Sequence, residues 1–252
     1  MKPVIDPACP WKLPLPGWVG SWSGLIMSAS EWRQLLERAR RGDAEAAFEV
    51  AERYEEGCRD RDGGVSVRRS MPGAVEWYRR SAERGHTGAQ ICVGVCLTNG
   101  AGVKKDVAEG LSWLRRAYRA GLSCAAYNIA VTYRQNGDFR RAVHWFRTAA
   151  ARGDFDAVAH LQLGIHYYWG KGVRTDARAA VRCFRKAAKG ESICEGERDD
   201  AFFYLGIAHL EGKGVRRSVP GARKLFQRAN VDGDHPAAAR MLRLIEGGFE
   251  RR

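Results

Sequence analysis

The sequence predicts an all-α protein: a right-handed α-solenoid of about five helix–turn–helix repeats, closed by a C-terminal capping helix. Three observations predict it. One set of small, large and turn residues returns five times in units of about 36 residues. Within each unit the apolar positions follow the period of a helix, not the alternation of a strand. Gly-rich turns separate the two helices of most units. Such a unit cannot bury its own apolar face, so neighbouring units stack and share a continuous core.

The elements follow in chain order. Residues 1–27 hold five of the eight prolines, with Trp11, Trp18 and Trp22. Pro, Gly and Ser interrupt every apolar run there, which argues against a secretory signal. This stretch is expected to be an arm packing its tryptophans on the first repeat, or a leader upstream of a translation start at Met27. Residues 28–252 form the solenoid. Ser28 and Glu31 have capping-box spacing at the head of a helical run. Repeats are expected near 42–86, 87–122, 123–154, 155–198 and 199–235, with a cap over 236–252.

The first helix of each repeat starts from a small column, Ala46, Ala89, Ala125, Ala159 and Ala201. Four residues on stand Val50, Val93, Ile129, Leu163 and Leu205, followed by a second small column, Ala51, Gly94, Ala130, Gly164 and Gly206. Then come Tyr54, Leu97, Tyr133, Tyr167 and His209. These offsets share one helical face, and its small members let another helix approach. A turn follows, as in Gly100-Ala101-Gly102-Val103, Gly170-Lys171-Gly172-Val173 and Gly212-Lys213-Gly214-Val215. The third copy uses Gln135-Asn136-Gly137-Asp138 instead. The second helix carries Ala74, Gly110, Ala142, Ala180 and Ala222, then Trp77, Trp113, Trp145, Cys183 and Leu225. Cys183, in the Trp column, reads as a small core residue. Polar insertions are expected near 59–72 and 190–200.

This column set, A-x3-LG-x2-Y-x2-G-x-GV-x2-D-x3-A-x2-W-x3-A, resembles the Sel1-like repeat family, relatives of the tetratricopeptide repeats, over about residues 42–245. The resemblance implies a protein–protein interaction scaffold or adaptor. It also admits an immunity protein that neutralises a secreted, type VI-type phospholipase effector, as some bacterial members do. Cysteine-rich members pair cysteines within each repeat. The seven cysteines here are irregularly placed, which points to a reduced, cytoplasmic chain.

Composition narrows the partner. The net charge of +13 favours an acidic protein, or an anionic polymer or membrane surface. No run of about 18 apolar residues is present, so no transmembrane helix is expected. In this architecture the first helices line a concave groove. The offsets left over from core packing lie within about 60° of one another. They give Asn128, Thr132, Gln135, Gln162, His166, Trp169 and Tyr204 as the candidate partner-binding set. Amides and aromatics suit capture of a peptide backbone and hot-spot packing; the alternative is an ordinary solvated groove. On the second helices Arg79, Arg115, Arg147 and Arg185 recur two residues after the Trp column. They read as a secondary basic ridge or a solvated outer face. Nucleic acid is not expected as a partner, since aromatics are not interleaved with the basic residues and no recognition helix is evident. No catalytic constellation, cofactor motif or metal-ligand spacing stands out, and Glu55 and Glu56 read as solvated carboxylates at a loop edge.

Overall fold

The computed structural model describes residues 27–59, 65–151, 156–190 and 193–247. The Pro- and Trp-rich stretch 1–26 lies outside them. Twelve helices and one short hairpin make up the described residues. The chain divides into two compact units, one ending at Asn128 and one starting at Ile129, inside α6.

The first unit holds α1 (Ala29–Arg40), α2 (Ala44–Glu56), β1 (Cys58–Arg59), β2 (Val65–Val67), α3 (Met71–Glu83), α4 (Thr87–Asn99), α5 (Val107–Arg119) and the start of α6 (Cys124–Gln135). Each helix start uses the local chemistry of its sequence. Ser28 Oγ accepts the Glu31 N–H at 3.2 Å and Glu31 Oε2 accepts the Ser28 N–H at 2.7 Å, the reciprocal box expected. Asp43, Ser70 and Asp106 cap α2, α3 and α5. α4 is capped by a histidine. The His86 Nδ1 accepts the Ala89 N–H at 3.0 Å, and the ring stacks on Phe48 at 4.3 Å. Its Nε2 stands 3.1 Å from Glu45 Oε2. An accepting Nδ1 carries no proton, so the Nε2–H points at the carboxylate. His86→Ala is expected to cost about 1–2 kcal/mol, read as a shifted denaturation midpoint. His86→Asn, which keeps a capping acceptor, should lose less.

Packing in this unit follows the columns. Ala46, Val50, Ala51, Ala89 and Val93 are fully buried. A Cβ on Gly94 would stand 2.7 Å from Leu114 Cγ, so the small column is what lets α4 and α5 touch. Glu55 departs from the expectation. It is 6 % exposed and accepts a hydrogen bond from Tyr78 Oη at 2.6 Å. Its position in α2 faces α3, so a carboxylate read as solvated instead holds a buried phenol. Burial keeps the Tyr78 hydroxyl well above its usual titration range. The insertion near 59–72 includes an antiparallel hairpin, pairing Cys58 with Val67, and ends earlier than expected because Met71 and Pro72 already open α3.

The second unit continues α6 and adds α7 (Phe139–Ala150), α8 (Asp156–Trp169), α9 (Ala177–Lys189), α10 (Glu195–Glu211), α11 (Val219–Arg228) and α12 (Pro236–Gly247). α12 packs on α11, where Phe226, Ala229 and Ala238 form a core with Phe203 and Met241. Residues 195–200, expected as the end of a polar insertion, are the first turns of α10. Glu195 and Glu197 suit the positive end of a helix, which lets the polar segment extend α10 backward from Ala201.

The turn glycines have a second task. Gly170 and Gly172 sit at φ 67° and 73°, a backbone region that side chains disfavour. A Cβ on Gly172 would also strike the backbone of Phe139, the first residue of α7. Gly102 meets Met71, the first residue of α3, at 2.6 Å, and Gly214 meets Ala177, the first of α9. The second glycine of each turn is therefore where one repeat's turn rests on the second helix of the repeat before.

The Trp column is not the deepest one. The residues that follow it, Tyr78, Leu114, Phe146, Phe184 and Phe226, are all at most 2 % exposed. Trp113, Trp145, Cys183 and Leu225 are only half-buried. Cys183, expected in the core, thus sits at its margin, because the one-residue step to Phe184 carries the side chain onto α8 and against Gly164.

Candidate partner-binding surfaces

On the first-helix face of the second unit, the predicted residues separate into two groups. Thr132 and His166 are 3 % and 2 % exposed, which removes them from any surface a partner could touch. The His166 Nδ1–H donates to the Lys171 carbonyl at 2.7 Å, and its ring lies among Phe139 and Phe146. It ties the end of α8 to its turn. Burial also holds its pKa below the usual histidine value. The +7 offset, counted on an ideal wheel as groove-facing, falls on the buried side here.

The remaining residues reach the surface to different degrees. Gln135 is exposed at the end of α6. Gln162 is half-buried and accepts a hydrogen bond from Arg134. Tyr204 lies flat on Phe184, with ring centroids 5.2 Å apart and planes 11° from parallel. It is committed to packing against the preceding repeat. In the first unit Asn128 is half-buried, its Nδ2 donating to the Cys124 carbonyl one turn back at 3.2 Å.

Trp169 stands apart. It is 51 % exposed, the only exposed aromatic side chain among the described residues. It ends α8 and meets Tyr168 edge-on at 5.2 Å. Tyr168 is itself buried, and its Oη donates to Glu211 Oε2 at 2.9 Å. Lys213 pairs with the same carboxylate at 2.7 Å and lies over the Tyr168 ring. The indole thereby rests against a ring that Glu211 and Lys213 hold in place.

The basic residues of the second helices do not behave as one ridge. Arg79 donates to Glu109 at 2.7 Å. Arg115 is half-buried. Arg147 donates to Tyr167 Oη at 2.9 Å and its guanidinium lies over that ring. Arg185 is exposed and lines a cleft with Lys189 and Arg228. Neighbouring cations stack on the Trp column instead, Arg80 over Trp77 and Arg116 over Trp113. Among the described residues no group of three or more His, Cys, Asp or Glu could hold a metal ion. No disulfide joins the described cysteines, and no described helix is long and apolar enough to cross a membrane.

The Sel1 repeat model matches residues 44–86, 88–122, 125–154, 157–192 and 200–230, most of the chain. The chain belongs to the Sel1 repeat family. Sel1 repeat proteins generally mediate protein–protein interaction. Within the matched repeats α2 packs on α3, α4 on α5, α8 on α9 and α10 on α11. Among curated relatives, DAP3-binding cell death enhancer 1 of Rattus norvegicus is 30 % identical over 155 residues, 46 % of this chain and 30 % of the relative. The uncharacterized protein NMB1327 of Neisseria meningitidis serogroup B is 33 % identical over 134 residues, 52 % of this chain and 28 % of the relative. The matched segments thus span less than a third of these relatives' length. Among solved structures, c5321, a protective antigen present in uropathogenic Escherichia coli strains, aligns with a TM-score of 0.70 at 27 % identity, covering 87 % of this chain and 45 % of that one. A Sel1 repeat protein from Oxalobacter formigenes aligns at 0.65 and 22 % identity, covering 83 % and 82 %.

Proposed function

We propose that this Sel1 repeat chain is a non-catalytic scaffold that binds a partner protein on the first-helix face of its second unit, with Trp169 as the anchor. The half-exposed indole carries this reading. Tryptophan is strongly enriched among binding hot spots, and a large aromatic left in water at the end of a packed helix gains most by being covered. Gln135 at the end of α6 and Gln162 on α8 add amide donors and acceptors on the first helices, and Tyr204 on α10 adds an aromatic ring fixed against Phe184. The net charge of +13 favours an acidic partner, of which a secreted phospholipase effector is one example.

The test is capture from native lysate with wild type, Trp169→Ala and Gln162→Ala. Truncating the anchor should weaken recovery of the bound protein by at least tenfold, about 1.4 kcal/mol or more, without moving the melting temperature. Equal recovery by wild type and Trp169→Ala would remove this face from the reading.

A further inference from the structure

Two junctions between second helices can be compared position by position. In the first unit α3 and α5 both pack on α4, and Trp113 covers the seam between them. Glu109 Oε1 accepts from Trp113 Nε1 at 3.3 Å and from Arg79 at 2.7 Å, while Arg116 lies over the indole. An acid and an indole four residues apart on one helix close that seam. In the second unit α9 and α11 both pack on α10. By repeat register Trp113 becomes Leu225 and Glu109 becomes Gly221, while Arg79 and Arg116 are kept as Arg185 and Arg228. The group loses its indole and its acid together.

The result is a cleft of about 420 Å³ over Leu205 and Leu225, edged by Arg185, Lys189 and Arg228. That volume lies in the range of small binding sites. Arg228 is held over Phe202 at 4.7 Å. Among the described residues no ion pair satisfies Arg185 or Lys189, unlike Arg79 with Glu109. The column that gives Arg147 a hydroxyl partner, Tyr167, holds His209 here. His209 lines the cleft, and its Nδ1 is buried with no hydrogen-bond partner. An apolar floor under three cations, with an unsatisfied imidazole beside it, is complementary to an anion with an apolar body.

We propose that this cleft between α9 and α11 is a second binding site, for an acidic helical peptide segment carrying a carboxylate and a large aromatic side chain four residues apart. The segment supplies from outside what Glu109 and Trp113 supply within the chain. The aromatic ring fills the space over Leu225, and the carboxylate faces Arg185 and Lys189 at the cleft edge. The inference rests on the protein-binding reading only in taking the ligand to be a peptide; its residues are separate from the Trp169 face.

The test uses the full chain and a fluorescein-labelled, alanine-rich helical peptide with Glu and Trp four residues apart, followed by fluorescence anisotropy. Saturable binding is expected, weakened about tenfold by Glu→Gln or Trp→Ala in the peptide. Leu225→Trp, which refills the seam, should abolish binding while leaving the melting temperature unchanged or raised. Arg185→Gln should weaken binding comparably, and decides the matter if Leu225→Trp fails to fold. Trp169→Ala should bind the peptide as wild type does, even where it loses the lysate partner. Absence of saturable binding by wild type overturns the proposal. So does undiminished binding by a folded Leu225→Trp variant, or equal competition by polyglutamate lacking an aromatic residue.

Discussion

Gly172→Ala is expected to destabilise the second unit by about 2–5 kcal/mol. Two costs combine. A side chain at φ 73° costs about 1–2 kcal/mol. Forcing a Cβ into the backbone at the head of α7 adds about 1–3 kcal/mol of overpacking, because Phe139 presents backbone carbon and oxygen there and not a movable side-chain tip. Gly137→Ala is the control. It has the same left-handed geometry, at φ 78°, with nothing within 4 Å of the added carbon. It should lose only the conformational part, about 1–2 kcal/mol. Chemical denaturation followed by helical circular dichroism separates the two. Equal midpoints would mean that the repeat-to-repeat contact at Gly172 relaxes freely.

Phe184→Ala is expected to cost about 3–5 kcal/mol. The ring is fully buried, presses on Gly164 of α8 and carries the stacked Tyr204 of α10, so its loss leaves a cavity bordered by three helices. Gly164→Ala alone should cost about 1–3 kcal/mol, since the new methyl would overlap the Phe184 ring. In the Phe184→Ala background that second cost should largely disappear, giving a coupling of about 0.5–3 kcal/mol. Strict additivity would show that another neighbour sets the small residue at 164. Either large variant also bears on function, because Tyr204 and Trp169 are supported from this same core.

Much of the fold was legible because the repeats compare the chain with itself. The small columns, the capping box at Ser28 and the left-handed turns each leave a local mark, since backbone conformation and helix contact depend on residue size within a few positions. The histidine cap at His86 left a weaker one: it occupies the register where Asp43 caps α2. Burial was harder to read. Trp77 and its equivalents stand out by type, yet the deeper positions are the next residues, Tyr78 to Phe226, whose identity varies among Tyr, Leu and Phe. Glu55 looked like half of an exposed pair and is buried against Tyr78, a residue 23 positions away.

The candidate surface was legible only in part. An ideal wheel groups His166 with Trp169, but the end of α8 bonds to its own turn at Lys171 and draws the imidazole inward while the indole stays out. Arg79 and Arg185 are indistinguishable in register, yet one is paired with Glu109 and the other faces an open cleft.

What the sequence determined by itself was the repeating unit, its helices and the columns that let them touch. These follow from side-chain size and helical period, which act locally and recur. Only the tertiary structure decided which polar residues remain available. Exposure and charge pairing are set by side chains brought together across helices and turns, Tyr78 with Glu55 from the two helices of one repeat and Arg79 with Glu109 from neighbouring ones.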